Sequence, residues 1–414
     1  MKRTALLLGV AFGVRLLCGI WLGHFQHPKL WEFEEMANNL LAGHGLIRHQ
    51  MGAPYYAYVL PVYPLFTAGV YALTNHSRAA ILLIQCLISA LAVVQVKTIG
   101  ELVFEDSRIS TLGAWLVAFH PPLILFATLL HSLTLDVFAL LWVLWAWLRL
   151  LRTTHVPETF HAGAASGFAL LSRGTALAFL AWAAAVTAWV LRHQAVRRLR
   201  VLAIVALVSG AVVLPWLIRN KRVLHRFPVL ITTTGQSLWQ GNNPNSSGSG
   251  YLQDGRSALD TLPQRFLDQL KGLDESGQDR LFREEAQRFI REHPWQALGL
   301  YVKKLKIFWW AGPQTGLKYP RSYRIAYGIY YAGIVFLAGI GLWQWRFRLR
   351  QPAGALLIGF AVSISLLQSV YYVEGRHRWG VEPALLLIAA AGLVSYFHRS
   401  KPTPGVPSWA PAHS

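Results

Sequence analysis

Long apolar runs alternate with short cationic breaks along the whole chain. Runs such as Ala79–Val96 and Ala384–Phe397 are too apolar throughout to be the one-sided helices of a soluble protein. Apolar segments of roughly 17–25 residues read as membrane-crossing helices. The pattern predicts crossings at the first run, at Ala79–Phe104, Ile109–Ala127 and Leu133–Leu148, and near His161–Leu171 and Thr175–Leu191. Further crossings end in "LPW" at Trp216 and follow from Ile325 onward, making about ten in all.

The breaks orient these helices. "RLLR" (Arg149–Arg152), "RHQAVRRLR" (Arg192–Arg200), "RFRLR" (Arg346–Arg350) and "HRSK" (His398–Lys401) mark the cytoplasmic side. Lys2 and Arg3 put the start of the first helix there too. That helix lacks a small-x-small cleavage site and is expected to stay uncleaved. Parity then keeps residues 25–78 and 219–323 on the outer side. Pro54, Pro61 and Pro64 break the apolar stretch before Leu73 into a surface or re-entrant helix, and three lysines in "YVKKLKIFWW" make it interfacial.

The expected organisation is therefore all-α and polytopic. Residues 1–217 form an N-terminal transmembrane core that includes the first outer loop (25–78). Residues 218–323 form an outer region with an interfacial helix, with helical character over Ser257–Glu292. Residues 324–398 hold the last crossings, and 399–414 form a Pro-rich disordered cytoplasmic tail.

Composition sharpens this in two places. The chain carries 39 Lys and Arg against 19 Asp and Glu, a net charge of +20. The cations sit in short clusters between apolar runs, with no continuous basic face for reading bases, which excludes nucleic-acid binding. Cys18 and Cys86 lie inside separate apolar runs and form neither a disulfide framework nor a metal site. Arg15, costly in lipid, is expected to pack against a neighbouring helix.

The acids are few, and three fall together in "WEFEEM": Glu32, Glu34 and Glu35. At 100° per residue, Phe33, Met36, Ala37, Leu40 and Leu41 form one face of a surface helix, with the glutamates on the other. The bland reading is acids favoured by a helix dipole. Other outer polar residues are His131, Asp136, Arg173, Arg219, Asn220, Asn242, Asn243 and the "EGRHRWGVEP" stretch with Arg376 and Arg378. Each has its own bland reading as an anchor or a satisfied polar group. Together they could assemble a cleft in which a carboxylate takes a proton from a hydroxyl and arginines hold a phosphate. Such a cleft suits an amphipathic substrate, a phosphate at headgroup depth on a lipid tail.

At these residues the chain resembles bacterial family 39-type glycosyltransferases of GT-C fold. The resemblance rests on "WEFEEMANNLLAGHG…LPVYPLFTAGVYAL", "PWLIRN" (Pro215–Asn220), "LWQGNNP" (Leu238–Pro244) and "RHRWGVEP" (Arg376–Pro383), and covers roughly Lys2 to Phe397. It implies a GT-C-like bundle and inverting transfer of a hexose or pentose from a polyprenyl-phosphate carrier. The reaction would occur on the outer face of the cytoplasmic membrane, with a lipid, glycan or protein as acceptor. It maps a general base to Glu32, a second acid to Asp136 and donor-phosphate contacts to Arg376 and Arg378. Arg219, Asn220, Asn242, Asn243 and Glu35 are its further substrate-binding candidates. No dedicated metal site is signalled, although a divalent cation bridging carboxylate and phosphate is compatible with the residues. A lipid-carrier flippase, or another transporter, and a non-catalytic scaffold are the other classes open to a polytopic chain. The first would favour ionisable groups at mid-bilayer.

Overall fold

The computed structural model describes residues 2–28, 31–226, 229–252, 256–310 and 320–398; the expected tail over 399–414 lies outside them. The fold is helical. After α1 (Lys2–Trp21) the first loop holds α2 (Glu32–Leu41), a hairpin of β1 (Arg48–Gln50) and β2 (Ala53–Tyr55), and α3 (Val62–Thr74). The bundle continues through α4 (Arg78–Phe104), α5 (Ser107–Ala118), α6 (Pro121–Ala127), α7 (Leu133–Thr153), α8 (Val156–Ser172), α9 (Ala176–Val190) and α10 (Ala195–Leu224). A second loop region carries α11 (Thr234–Gly241), α12 (Gln264–Leu270), α13 (Glu275–Glu292) and α14 (Pro294–Trp309). Then follow α15 (Arg321–Gln344), α16 (Arg346–Leu349), α17 (Pro352–Gln368), α18 (Gly375–Trp379) and α19 (Glu382–His398).

Among the described residues five helices, α1, α4, α7, α10 and α15, are long and apolar enough to cross a membrane by themselves. The helix expected at Ile109–Ala127 is two helices, α5 and α6, bent by 53°. Consecutive prolines cause the break: Pro121 and Pro122 offer no N–H to the preceding turn, so α5 stops at Ala118. Counted as one span, the pair makes six. Helices α9, α17 and α19 are apolar but shorter.

Side-chain bonds sort the connections into two groups. Arg152 reaches the Leu102 carbonyl (3.0 Å) and Arg348 the Val103 carbonyl (3.1 Å), while Arg348 also pairs with Glu105 at 2.6 Å. Arg149 binds Glu158 at 2.9 Å. These residues flank the cationic breaks. The first loop instead bonds to residues 219–278, and loop 241–248 bonds to the turn after α17. The parity argument grouped the loops in the same two sets.

Packing between the crossings relies on small residues. A Cβ on Gly341 of α15 would lie 2.0 Å from the Ile388 carbonyl oxygen, and one on Gly392 of α19 would lie 2.2 Å from that of Leu337. The two backbones therefore touch, as small residues permit in membrane bundles. Arg15 is buried, as its cost in lipid demands. It donates to Ser89 Oγ (2.7 Å) and to the Ala11 and Ala118 carbonyls (2.9 and 3.0 Å), joining α1, α4 and α5.

Gly341→Leu is expected to destabilise the purified protein by about 1–3 kcal/mol, the usual range for overpacking. Gly339→Leu, whose Cβ meets nothing within 4 Å, should be tolerated. Thermal unfolding in detergent distinguishes the two; equal melting would refute so close a crossing.

Candidate active site

The first loop is tied down by buried polar groups from the second. Glu275, at the start of α13, accepts from the Tyr56 and Ala57 amides (2.9 and 3.1 Å) and from the Thr232 hydroxyl. Tyr55 donates to Gln278 at 2.5 Å. Arg219 donates to the Tyr56 carbonyl at 2.6 Å, approaches that of Leu46 at 3.4 Å and lies over Trp216. Asn220 accepts from Arg219 and donates to the Val229 carbonyl at 2.7 Å. These two candidates from "PWLIRN" thus hold the loop in place.

"GNNP" is used in the same way. Asn242 donates to the Leu238 and Val370 carbonyls (2.8 and 2.9 Å) and accepts from Lys304 at 2.9 Å. Lys304 is fully buried and also donates to the Gly241 and Val370 carbonyls (3.1 and 3.2 Å). Burial among neutral acceptors pulls its pKa down to about 8. The lysine expected at an interface is thus an internal cross-link between α14, the Asn loop and the turn after α17. Asn243 donates to the Trp239 carbonyl and accepts from the Asn245 amide, closing its own turn. One result is the close approach of Gly250, where a Cβ would meet Glu374 Oε1 at 2.9 Å.

With both loops fixed, charged side chains gather between them. Glu32 lies 3.5 Å from Arg48, whose guanidinium covers Tyr58 at 4.4 Å. Arg376 lies over the Trp31 ring at 5.9 Å, contacts Glu374 at 3.1 Å and reaches Tyr372 at 3.5 Å. Trp31 packs edge-on against His131 at 4.9 Å. Ser132 follows and donates to Asp136 at 3.0 Å; Ser172 donates to the same carboxylate at 2.8 Å, and Arg173 stands 3.6 Å from it. Trp31 Nε1, Arg48 Nε and Glu374 Oε1 are buried without a hydrogen bond or an ion-pair contact.

Exposure gives the cluster a direction. The side chains of Glu32, Arg48, Arg376 and Arg173 are 26, 24, 19 and 13 % exposed, whereas Asp136 and Glu374 are at 7 and 1 %. Glu32 and the three arginines are thus the more accessible members of the cluster, and the two carboxylates the less accessible.

The fields interlock. Burial opposes the charge on Arg376, but Glu374, Tyr372 and Glu32 outweigh it and hold the guanidinium pKa above its ordinary value. Burial raises that of Glu374, against the pull of Arg376. Burial lowers that of Arg173, with Asp136 opposing and Arg376 adding to the effect. His131 and His377 are both driven well below the usual imidazole range, by burial first and then by both Arg376 and Arg173.

The remaining sequence candidates lie elsewhere. Glu34, expected on the water-facing side of α2, is buried; it accepts from Tyr71 and Arg78 at 2.7 Å each. The helical wheel misplaced it because α3 and α4 cover α2's polar flank. Glu35 is the exposed one, accepting from the His49 amide at 3.0 Å and so bracing the hairpin. Arg378 points away from Glu32. It pairs with Glu382, donates to the Trp310 carbonyl and Tyr327 hydroxyl at 2.9 Å each, and lies over Tyr331 at 4.1 Å. Glu382 also meets His120 at 2.5 Å, at the α5–α6 break. Among the described residues no three His, Cys, Asp or Glu gather as a metal-holding group.

Residues missed by sequence reasoning are Arg48, Tyr58, Tyr372 and Glu374. Arg48 carries a signal: it is a cation on a loop assigned to the side where cations are scarce. Glu374 was within a quoted stretch but overshadowed by its arginines.

Residues 57–218 match the model of a family described as PMT_2, dolichyl-phosphate-mannose-protein mannosyltransferase. The match is of GT-C type, in line with the sequence resemblance, and stops short of both Glu32 and Arg376. No curated protein matches the chain. Among solved structures, ArnT from Cupriavidus metallidurans bound to undecaprenyl phosphate is similar at 15 % identity and a TM-score of 0.47, covering 94 % of this chain and 77 % of that one. The apo state of ArnT gives 15 % and 0.45 with the same coverage.

Two outcomes follow. Arg378→Gln leaves Glu382 buried without its guanidinium and should cost about 3–5 kcal/mol of stability, read as thermal unfolding in detergent. His131 stays neutral when folded but gains a proton near pH 6.5 when unfolded. The unfolded state then binds more protons, so this residue's contribution to stability is full above about pH 7 and falls as pH drops through 6.5. His131→Asn, which keeps an acceptor for the Leu133 amide, should lose less melting temperature than wild type between pH 7.5 and pH 5.

Proposed function

We propose that the chain is a multi-pass membrane glycosyltransferase that takes its sugar from a lipid-phosphate donor and uses Glu32 as the general base. Residues 57–218 match a glycosyltransferase family whose description names a polyprenyl-type lipid phosphate as sugar carrier. The observation that carries the assignment of the site is the juxtaposition of Trp31–Glu32 with Arg376 across two loops far apart in sequence.

The chemistry follows from the chamber. An acceptor hydroxyl approaches the anomeric carbon while Glu32 takes its proton. The new glycosidic bond forms as the bond from anomeric carbon to phosphate oxygen breaks, on the opposite face, which inverts the centre. The departing lipid phosphate carries away the bonding pair, and Arg376 meets the growing negative charge with charge-assisted hydrogen bonds. Trp31 and Tyr58, stacked with the two cations, limit their motion. The opening is taken to face the outer side of the cytoplasmic membrane, because the cationic clusters lie at the other end of the bundle. The acceptor is a lipid, glycan or protein hydroxyl or amine.

Membranes containing Glu32→Gln should lose transfer from a polyprenyl-phosphate sugar by about 10²–10⁴-fold, with the purified variant still binding the lipid phosphate. Full activity in that variant would overturn the base assignment. Mass analysis of lipid-linked sugars and envelope glycans in cells with and without the gene tests the reaction class. Movement of labelled lipid with no new glycosidic bond would refute it.

A further inference from the structure

The chamber presents a second arginine that the sequence comparison did not assign. Arg378, its expected partner for Arg376, is 1 % exposed and committed to Glu382, Tyr327 and two carbonyls. Arg173 is partly accessible. It stands on the turn between α8 and α9, fixed by Thr175 Oγ1 at 3.2 Å and by the carboxylate of Asp136.

We infer that Arg173 and Arg376 together form the phosphate clamp of the chamber, with Asp136 positioning Arg173 rather than acting on substrate. This rests on the lipid-phosphate reading above. The geometry runs in a short circuit: Arg376 over Trp31, Trp31 against His131, and Ser132 and Asp136 leading to Arg173. His131 and His377 each respond to both arginines, which puts all four within electrostatic reach.

The two arginines share one design. Each cation is paired with a less exposed carboxylate, Asp136 for Arg173 and Glu374 for Arg376. The carboxylates offset the repulsion between the two cations. A phosphate bearing two charges then adds interactions with both guanidiniums without displacing either carboxylate. Asp136, bonded by Ser132 and Ser172 and shielded by Arg173, is poorly placed to take a proton from an acceptor.

The test measures equilibrium binding of a polyprenyl phosphate to the full chain in detergent, with the corresponding polyprenol as the uncharged comparison. Arg173→Gln and Arg376→Gln are each expected to weaken phosphate binding by about 10–100-fold, the value of a charged hydrogen-bonding group, and to leave polyprenol binding unchanged. The double variant Asp136→Asn/Arg173→Gln removes both charges of the pair, so no uncompensated carboxylate stays buried. It should fold and show the same loss. Asp136→Asn alone should weaken phosphate binding several-fold, as a positioning residue would, whereas Glu32→Gln should bind like wild type. Wild-type affinity in the folded double variant beside weakened Arg376→Gln would overturn the clamp and leave the donor reading intact. Unchanged affinity in Asp136→Asn would overturn the positioning role. Wild-type protein binding polyprenol as tightly as polyprenyl phosphate would overturn the donor reading and this inference with it.

Discussion

A guanidinium placed in a low-dielectric bundle must bring its compensation with it, and this requirement organises the protein. An isolated buried charge is expensive and removing one partner of a buried pair is worse. The chain has about half as many acids as bases, so where the acids go decides which arginines can be internal. Glu32, Asp136, Glu374 and Glu382 each hold one: Arg48, Arg173, Arg376 and Arg378. Arg15 instead uses the Ser89 hydroxyl of α4, the Ala118 carbonyl of α5 and the Ala11 carbonyl one turn back on its own helix. Lys304, also buried without a carboxylate, is compensated by neutral oxygens alone.

Those pairs differ in what they leave available. Arg378–Glu382 is closed: carbonyls, Tyr327 and His120 use up the remaining donors and acceptors, and the pair locks α18 and α19 to α15 and the α5–α6 break. In Arg376–Glu374 and Arg173–Asp136 the guanidinium is more accessible than the carboxylate it pairs with. One short helix thus carries two arginines two residues apart in different surroundings, Arg378 almost fully buried and Arg376 partly accessible. Residues i and i+2 of a helix point in different directions, and the sequence motif alone treats them as equivalent.

The loops are rigid for a related reason. A loop cannot be held by apolar packing alone where it lines a polar chamber, so backbone carbonyls and amides are tied to Arg219, Asn220, Glu275, Asn242 and Lys304. Lys304 gathers three oxygens from two segments, Gly241–Asn242 and Val370, around one positive charge. Arg219, Asn220 and Asn242, expected from the sequence as substrate contacts, are bonded here to backbone carbonyls. Their chemistry was visible, but the partner was not.

Hydropathy patterning established the all-α polytopic class and several of its apolar spans. Those depend on transfer of local segments between water and hydrocarbon, which each stretch of residues settles for itself. The break at Pro121 was also readable in principle, since the missing N–H groups are a local property. Pairing was not. Glu34, Glu35 and Glu32 are near neighbours on one helix, yet one is buried by Tyr71 and Arg78, one braces a hairpin, and one faces Arg48 and the field of Arg376. Which acid does which is decided by side chains that arrive from elsewhere in the chain, and only the packed tertiary structure brings them there.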